Sequence, residues 1–242
     1  MRSTKLGGRA GPIPSPNIWH WPQLYEIENR AQDVDGVVFE TLAELADWRG
    51  RDVLDVGCGA GFHLPRFAEA ARSVVGVEPH LPLVAAARER VEGWASVSVL
   101  LGSAEAVPLP DGSIDVVHAR TAYFFGPGCG PGIRESMRVL RPGGVLAIVD
   151  LDATVAPYGT WMRADLPHYD PVAVESFFAA QGFAMRRVRT RWEFEDREAL
   201  QSVLGIEFSA RTATRAFAEV TGLGLEVGYR IHTRSAPSGL IL

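Results

Sequence analysis

The run Gly57-Cys58-Gly59-Ala60-Gly61 constrains this chain more than any other feature. It stands between the apolar segment Val53-Leu54-Asp55-Val56 and a stretch carrying Leu64, Phe67, Ala68 and Ala71 at helical spacing. Glycines at alternate positions allow the positive φ of a tight strand-to-helix turn and keep Cβ atoms away from an approaching ligand. The amides of such a turn, with the N-terminus of the helix it feeds, offer partial positive charge to an anionic group. A second apolar strand, Val74-Val75-Gly76-Val77, is closed by Glu78. A carboxylate there accepts hydrogen bonds from a ribose diol. A glycine turn alone is weak evidence; the turn together with Glu78 points to a nucleoside-containing ligand. Phe62 stands where a dinucleotide fingerprint has its third glycine, which argues against a nicotinamide cofactor.

The same rhythm continues along the chain. Apolar strands are expected at 97–101, 114–119 and 145–149, with a helix around Ile133, Met137 and Leu140 and a turn at Pro142-Gly143-Gly144 before the last of them. Strands apolar on both faces that alternate with helices predict a parallel sheet covered on both sides. A helix from Val34 toward Gly50 precedes the first strand. Beyond Pro171 the pattern predicts a helix, a charged strand over 183–194, helices near 197–204 and 207–220, and a last strand over 225–232. Arg186, Arg187, Arg189 and Arg191 are read as the charged face of an edge strand that resists edge-to-edge pairing. Residues 1–16 are rich in Gly and Pro and read as flexible. Residues 17–33 are too aromatic for a disordered tail and too few for a core of their own. They are expected to form a lid, which divides the chain into 1–33 and a single domain over 34–242.

Charge and composition narrow the function. A net charge of −5 disfavours a nucleic-acid partner. Lys5 is the only lysine, so a lysine base is excluded. The 2 cysteines form no disulfide framework, no Cys/His cluster has metal-ligand spacing, and no apolar run has the length of a membrane span. Gly7, Gly8, Pro12 and Pro14 interrupt the stretch a signal peptide would need, so a cytoplasmic protein, monomeric or homodimeric, is expected.

Four segments, 53–67, 74–79, 102–117 and 140–150, resemble the successive motifs of class I S-adenosylmethionine-dependent methyltransferases. The subgroup is similar to the ubiquinone/menaquinone-biosynthesis enzymes and their small-molecule relatives. The resemblance is collinear over about residues 36–150. It implies a Rossmann-like α/β fold with a seven-stranded sheet of order 3-2-1-4-5-7-6, strand 7 antiparallel and helices on both faces. It further implies that Gly57, Cys58, Gly59 and Gly61 cradle the methionine end of S-adenosylmethionine, that Asp55 holds the loop or the amine, and that Glu78 takes the ribose hydroxyls. Pro79 and His80 would flank the adenine, and Ser103, Ala104 and Glu105 would reach its amino edge. Relatives carry Asp where Ser103 stands, which weakens that contact. Arg120 is placed beside the methionine moiety, with Tyr25 or Arg30 reaching the cofactor from the lid.

Transfer from a sulfonium is an in-line displacement in which positioning and water exclusion carry much of the catalysis. Relatives carry Leu-His-His where this chain has Tyr123-Phe124-Phe125, so no histidine role transfers. His20, His118, Tyr25, Tyr123, Asp152 and His168 are the candidate bases, and none is assigned. Trp19, His20, Trp21, Tyr123, Phe124 and Trp161 suggest a small hydrophobic or aromatic acceptor. The product would be S-adenosylhomocysteine. Competing readings are a non-catalytic cofactor-binding homologue and a nicotinamide-dependent oxidoreductase.

Overall fold

The computed structural model describes residues 16–122 and 126–239; Tyr123 and Phe124 lie outside the described residues. The chain opens with α1 (Pro16–His20), α2 (Pro22–Ala31) and α3 (Val37–Leu45), then alternates β1 (Asp52–Val56), α4 (Leu64–Ala68), β2 (Ser73–Glu78), α5 (Leu81–Arg90), β3 (Val97–Leu101) and β4 (Ile114–Arg120). A short 3₁₀ turn at Gly126–Cys129 leads into α6 (Gly130–Val139), β5 (Leu140–Leu151), α7 (Tyr158–Asp165), α8 (Pro171–Ala180), β6 (Ala184–Glu193), α9 (Arg197–Glu207), α10 (Ala210–Glu219) and β7 (Gly224–Ser235). The strands form one sheet of order β3-β2-β1-β4-β5-β7-β6. β1 to β5 are parallel, and β7 runs antiparallel between β5 and β6. This is the order that the family resemblance implies.

Successive residues of a strand face opposite sides of a sheet. On one side, Val53, Val74, Val99 and Val116 pack with Val38, Leu42 and Phe67. On the other, Leu54, Val117 and Ile148 pack with Ile133, Val139 and Phe178. Polar residues start the C-terminal helices: Asp170 accepts from the Val172 and Ala173 amides, Asp196 from Ala199 and Ser209 from Thr212. Among the described residues no helix is long and apolar enough to cross a membrane.

Two local expectations change. Pro142-Gly143-Gly144 lies inside β5 rather than before it, because the β4–β5 register shifts between Ile114, paired with Leu140, and Val116, paired with Val145. A Cβ at Gly144 would stand 2.9 Å from the Asp115 carbonyl oxygen, so the irregularity needs glycine. The sequence pattern offers no helix at α7, because Pro157 and Gly159 punctuate the stretch like a loop. Gly159 is required there: its Cβ would lie 2.5 Å from the Ala153 carbonyl oxygen. The arginines of β6 are ion-paired, Arg187 with Asp152 at 3.0 Å and Glu175 at 2.6 Å, Arg189 with Glu226 at 3.3 Å, Arg191 with Glu193 at 2.8 Å and Arg186 with Glu44 at 3.5 Å.

Asp33 ties the N-terminal helices to the sheet. Its buried carboxylate accepts from the Val38 amide at 3.0 Å and the Phe39 amide at 3.3 Å, capping α3, and from the Thr190 hydroxyl of β6 at 2.8 Å. Asp33→Ala removes these acceptors and is expected to lower stability by about 1–3 kcal/mol, read as an earlier urea midpoint. An unchanged midpoint would show that the cap contributes nothing.

Candidate active site

A cavity of about 500 Å³ opens where the parallel strands end, beneath α1 and α2. The C-terminal edge of such a sheet is where α/β proteins bind ligands. Its floor is the glycine turn. The Gly57 and Cys58 amides donate to the Val77 carbonyl at 2.8 and 3.2 Å, which hangs the turn on β2. Gly57 and Gly59 hold φ of 71° and 56°, a region that favours glycine. A Cβ on Gly59 would lie 2.7 Å from Ile18 Cδ1, so α1 closes directly over the turn. Gly61 serves packing instead: its Cβ would meet Ala87 of α5 at 3.0 Å, and it does not line the cavity.

Glu78 is buried, and its two oxygens accept from the Gly59 amide at 3.1 Å and the His80 amide at 3.0 Å. Burial raises its carboxyl above the usual range, and the two amides oppose that rise. An ionised carboxylate has about four lone-pair sites, so it can accept further hydroxyl donors. Asp55 meets His118 Nδ1 at 2.7 Å, with both groups buried. His63 beside it is pushed well below its normal pKa by burial, and the Arg120 charge adds to the effect.

Pro79, Ala104 and Glu105 line the cavity beside Glu78, as Cys58 does beside the turn. Trp19 lines it from α1 and stacks on His80, centroids 4.6 Å apart and planes 14° apart. His80 itself faces Trp19 rather than the cavity, and Ser103 forms a bridge with Ala106 outside the lining. Tyr25 lines the roof. Arg120 donates to Gln32 Oε1 at 2.6 Å and to the Tyr229 hydroxyl at 3.1 Å.

Besides Gly61, His80 and Ser103, four more residues read from the sequence as site residues stand away from the lining. Arg30 projects outward and pairs with Glu26. His20 and Trp21 are exposed at the junction of α1 and α2, in edge contact with each other. Trp161 is a core residue of α7, 1% exposed, whose indole N–H donates to Glu219 at 2.6 Å. A ring that large at an α7–α10 contact contributes burial, and its aromaticity alone does not distinguish core from pocket.

The sequence reading also missed residues. Glu28, Asn29 and Gln32 join Tyr25 along the cavity side of α2, and Tyr158, Met162, Glu207, Phe208 and Tyr229 form the far end. For α2 a signal was present. Positions 25, 28, 29 and 32 follow the i, i+3, i+4, i+7 spacing of one helix face, here carrying polar groups. Glu207 carries no such signal, because only the fold brings it beside α2. The Asp55–His118 contact yields a direct test. His118→Ala leaves a buried carboxyl without its partner and is expected to cost about 1–3 kcal/mol in urea unfolding. A variant as stable as the parent would show the pair to be dispensable.

Comparisons with known proteins agree with this architecture. Residues 54–148 match the family model described as a methyltransferase domain. An uncharacterized 37.1 kDa protein in transposon TN4556 of Streptomyces fradiae is 31% identical over 229 residues, 88% of this chain and 66% of its own length. A probable S-adenosylmethionine-dependent methyltransferase of Mycolicibacterium smegmatis is 37% identical over 119 residues, 46% of this chain and 42% of its own length. This chain thus spans two thirds or less of these relatives' lengths. The solved structure of a SAM dependent methyltransferase from Aquifex aeolicus shares the fold, with a TM-score of 0.55 at 19% identity over 87% of this chain and 97% of that one.

Proposed function

Because this chain carries a class I S-adenosylmethionine-dependent methyltransferase domain, we propose that it transfers a methyl group to a small, largely apolar or aromatic acceptor. One observation carries the reading. A single cavity joins the glycine turn and Glu78 at one end to an aromatic wall of Tyr158, Phe208 and Tyr229 at the other.

The residues present fit the cofactor. Gly57 and Gly59 keep the floor free of side chains, and Glu78 retains lone pairs for ribose hydroxyls while holding the Gly59 amide. Ala104, Glu105 and Arg120 line the same cavity; in this reading the first two read the adenine edge and Arg120 holds the carboxylate. When bound, S-adenosylmethionine supplies an electrophilic methyl on sulfur. The chain's own part is to orient the acceptor along the displacement axis and to exclude water. In this reading α1 and α2 are the lid: Ile18 and Trp19 cover the turn, and Tyr25 roofs the acceptor end. The net charge of −5 supports a small-molecule acceptor over a nucleic acid. A cytoplasmic protein is part of the same reading.

Titration calorimetry tests the cofactor assignment. S-adenosylhomocysteine is expected to bind and NAD is not. Glu78→Ala is expected to weaken S-adenosylhomocysteine by about tenfold to a hundredfold, the loss of one or two hydrogen bonds. Undiminished affinity would remove Glu78 from the site, and tight NAD binding would overturn the reading. Deleting residues 1–30 is expected to abolish transfer of radiolabelled methyl to acceptors found by screening phenols and related aromatics. Full turnover by the truncated protein would refute the lid.

A further inference from the structure

Glu28 of α2 is 3% exposed, and its side chain lines the cavity. Gln32 donates to its Oε1 at 2.7 Å, while no donor among the described residues reaches Oε2. Beside it lies Glu207 of α9, which accepts from Asn17 Nδ2 at 2.7 Å and from the Tyr158 hydroxyl at 2.5 Å. The two carboxyls are within hydrogen-bonding reach of each other. Burial first, then the Glu207 charge, raises Glu28 well above the usual carboxyl range. Two buried carboxyls in contact resist ionising together, so Glu28 holds its proton against Glu207.

Among the described groups facing the pair, Arg120 is the one cation, a single charge set against two carboxyls. Tyr25 faces it from α2, Gln32 from the residue after α2, Asn17 from α1, Tyr158 from α7, and Arg120 and Tyr229 from the sheet. The Arg120 guanidinium hydrogen-bonds the neutral Gln32 and Tyr229 side chains, and its charge lowers Glu28 without matching both acids. Asp165 adds a third carboxylate to the same cavity end. Burial and the two neighbouring carboxylates hold the Tyr25 phenol neutral, so it answers no negative charge. A half-satisfied buried acid pair is costly in a low-dielectric wall. Aromatic side chains around it favour a cation through their ring quadrupoles.

We infer that this end of the cavity is a cation subsite in which Glu28 and Glu207 together receive an ammonium group carried by the methyl acceptor. The word acceptor rests on the methyltransferase reading; the cation subsite itself does not. On docking, the ammonium takes the place of the Glu28 proton, which leaves to solvent, and its N–H groups donate to Glu28 Oε2 and to Glu207. The acceptor class is therefore a small aryl or alkyl amine, rather than a carboxylic acid or a neutral alcohol.

The test uses the full chain saturated with S-adenosylhomocysteine and three isosteric probes: 2-phenylethylamine, 2-phenylethanol and phenylacetate. Calorimetry is expected to show binding of the amine alone. Runs in two buffers of different ionisation enthalpy should report about one proton released. Glu28→Gln and Glu207→Gln are each expected to weaken the amine by about tenfold or more while leaving S-adenosylhomocysteine affinity unchanged, which also shows that the variants fold. Absence of amine binding, equal binding of the alcohol or the acid, or amine affinity unchanged in both variants would overturn the proposal. A loss confined to S-adenosylmethionine, with S-adenosylhomocysteine unaffected, would assign the pair to the cofactor's sulfonium and equally overturn it. If a variant does not fold, the wild-type probe comparison and proton release decide alone. If S-adenosylhomocysteine fails to bind the wild type, the methyltransferase reading falls, and the amine titration without it still judges the subsite.

Discussion

Two amides donating to one carbonyl oxygen, that of Val77, hold the turn on which this molecule's site depends. They bend the chain out of β1 and anchor it to β2, so the end of one strand and the start of the next loop become a single surface. Glu78 follows Val77 directly and fastens the same turn through the Gly59 amide. Close approach makes this possible. Cys58 sits over Gly76, whose Cβ would lie 2.8 Å from the Cys58 sulfur, and α1 sits over Gly59. A side chain at either glycine would push α1 or the turn out of contact, so the packing that closes the cavity and the chemistry that would fill it depend on the same positions.

The cavity buries several acids, and each is stabilised differently. Asp55 has His118, and Glu78 has two amides, donors supplied by the sheet and by the turn itself. Both arrangements are local to the β1–β2–β4 region. Glu28 and Glu207 come from helices far apart along the chain, and their donors come from α1, α7 and Gln32 just past α2. The first two acids are satisfied as the sheet forms. The second pair meets only when the N-terminal helices dock on α9, and it is left with an oxygen that no described group fills. That difference separates a structural use of buried charge from one that awaits a ligand.

The C-terminal half supplies the far wall and protects the sheet edge. β6 carries its arginines in ion pairs with Glu175, Glu193, Glu226 and Asp152, which makes the edge strand a charged, self-neutralised border. Thr190 of the same strand reaches Asp33, so this edge also holds the segment that leads from α2 into α3.

The order of the sheet followed from the family resemblance; what the sequence determined by itself was the alternation of apolar strands with helices, the glycine turn and the position of Glu78. Each of these depends on short-range pattern: apolar strands, glycines that tolerate positive φ, and an acid at a strand end. The bulge inside β5 and helix α7 were not legible, because Gly144 and Gly159 read as turn signals until a neighbouring carbonyl oxygen shows why no Cβ fits. Aromatic residues were the least informative. Trp19 and Trp161 look alike in the chain, yet one lines the cavity and the other is buried against α10. Only the tertiary structure decided that, and only it brought Glu28 to Glu207. Burial and charge partnership are properties of surroundings assembled from distant segments, and no local pattern encodes them.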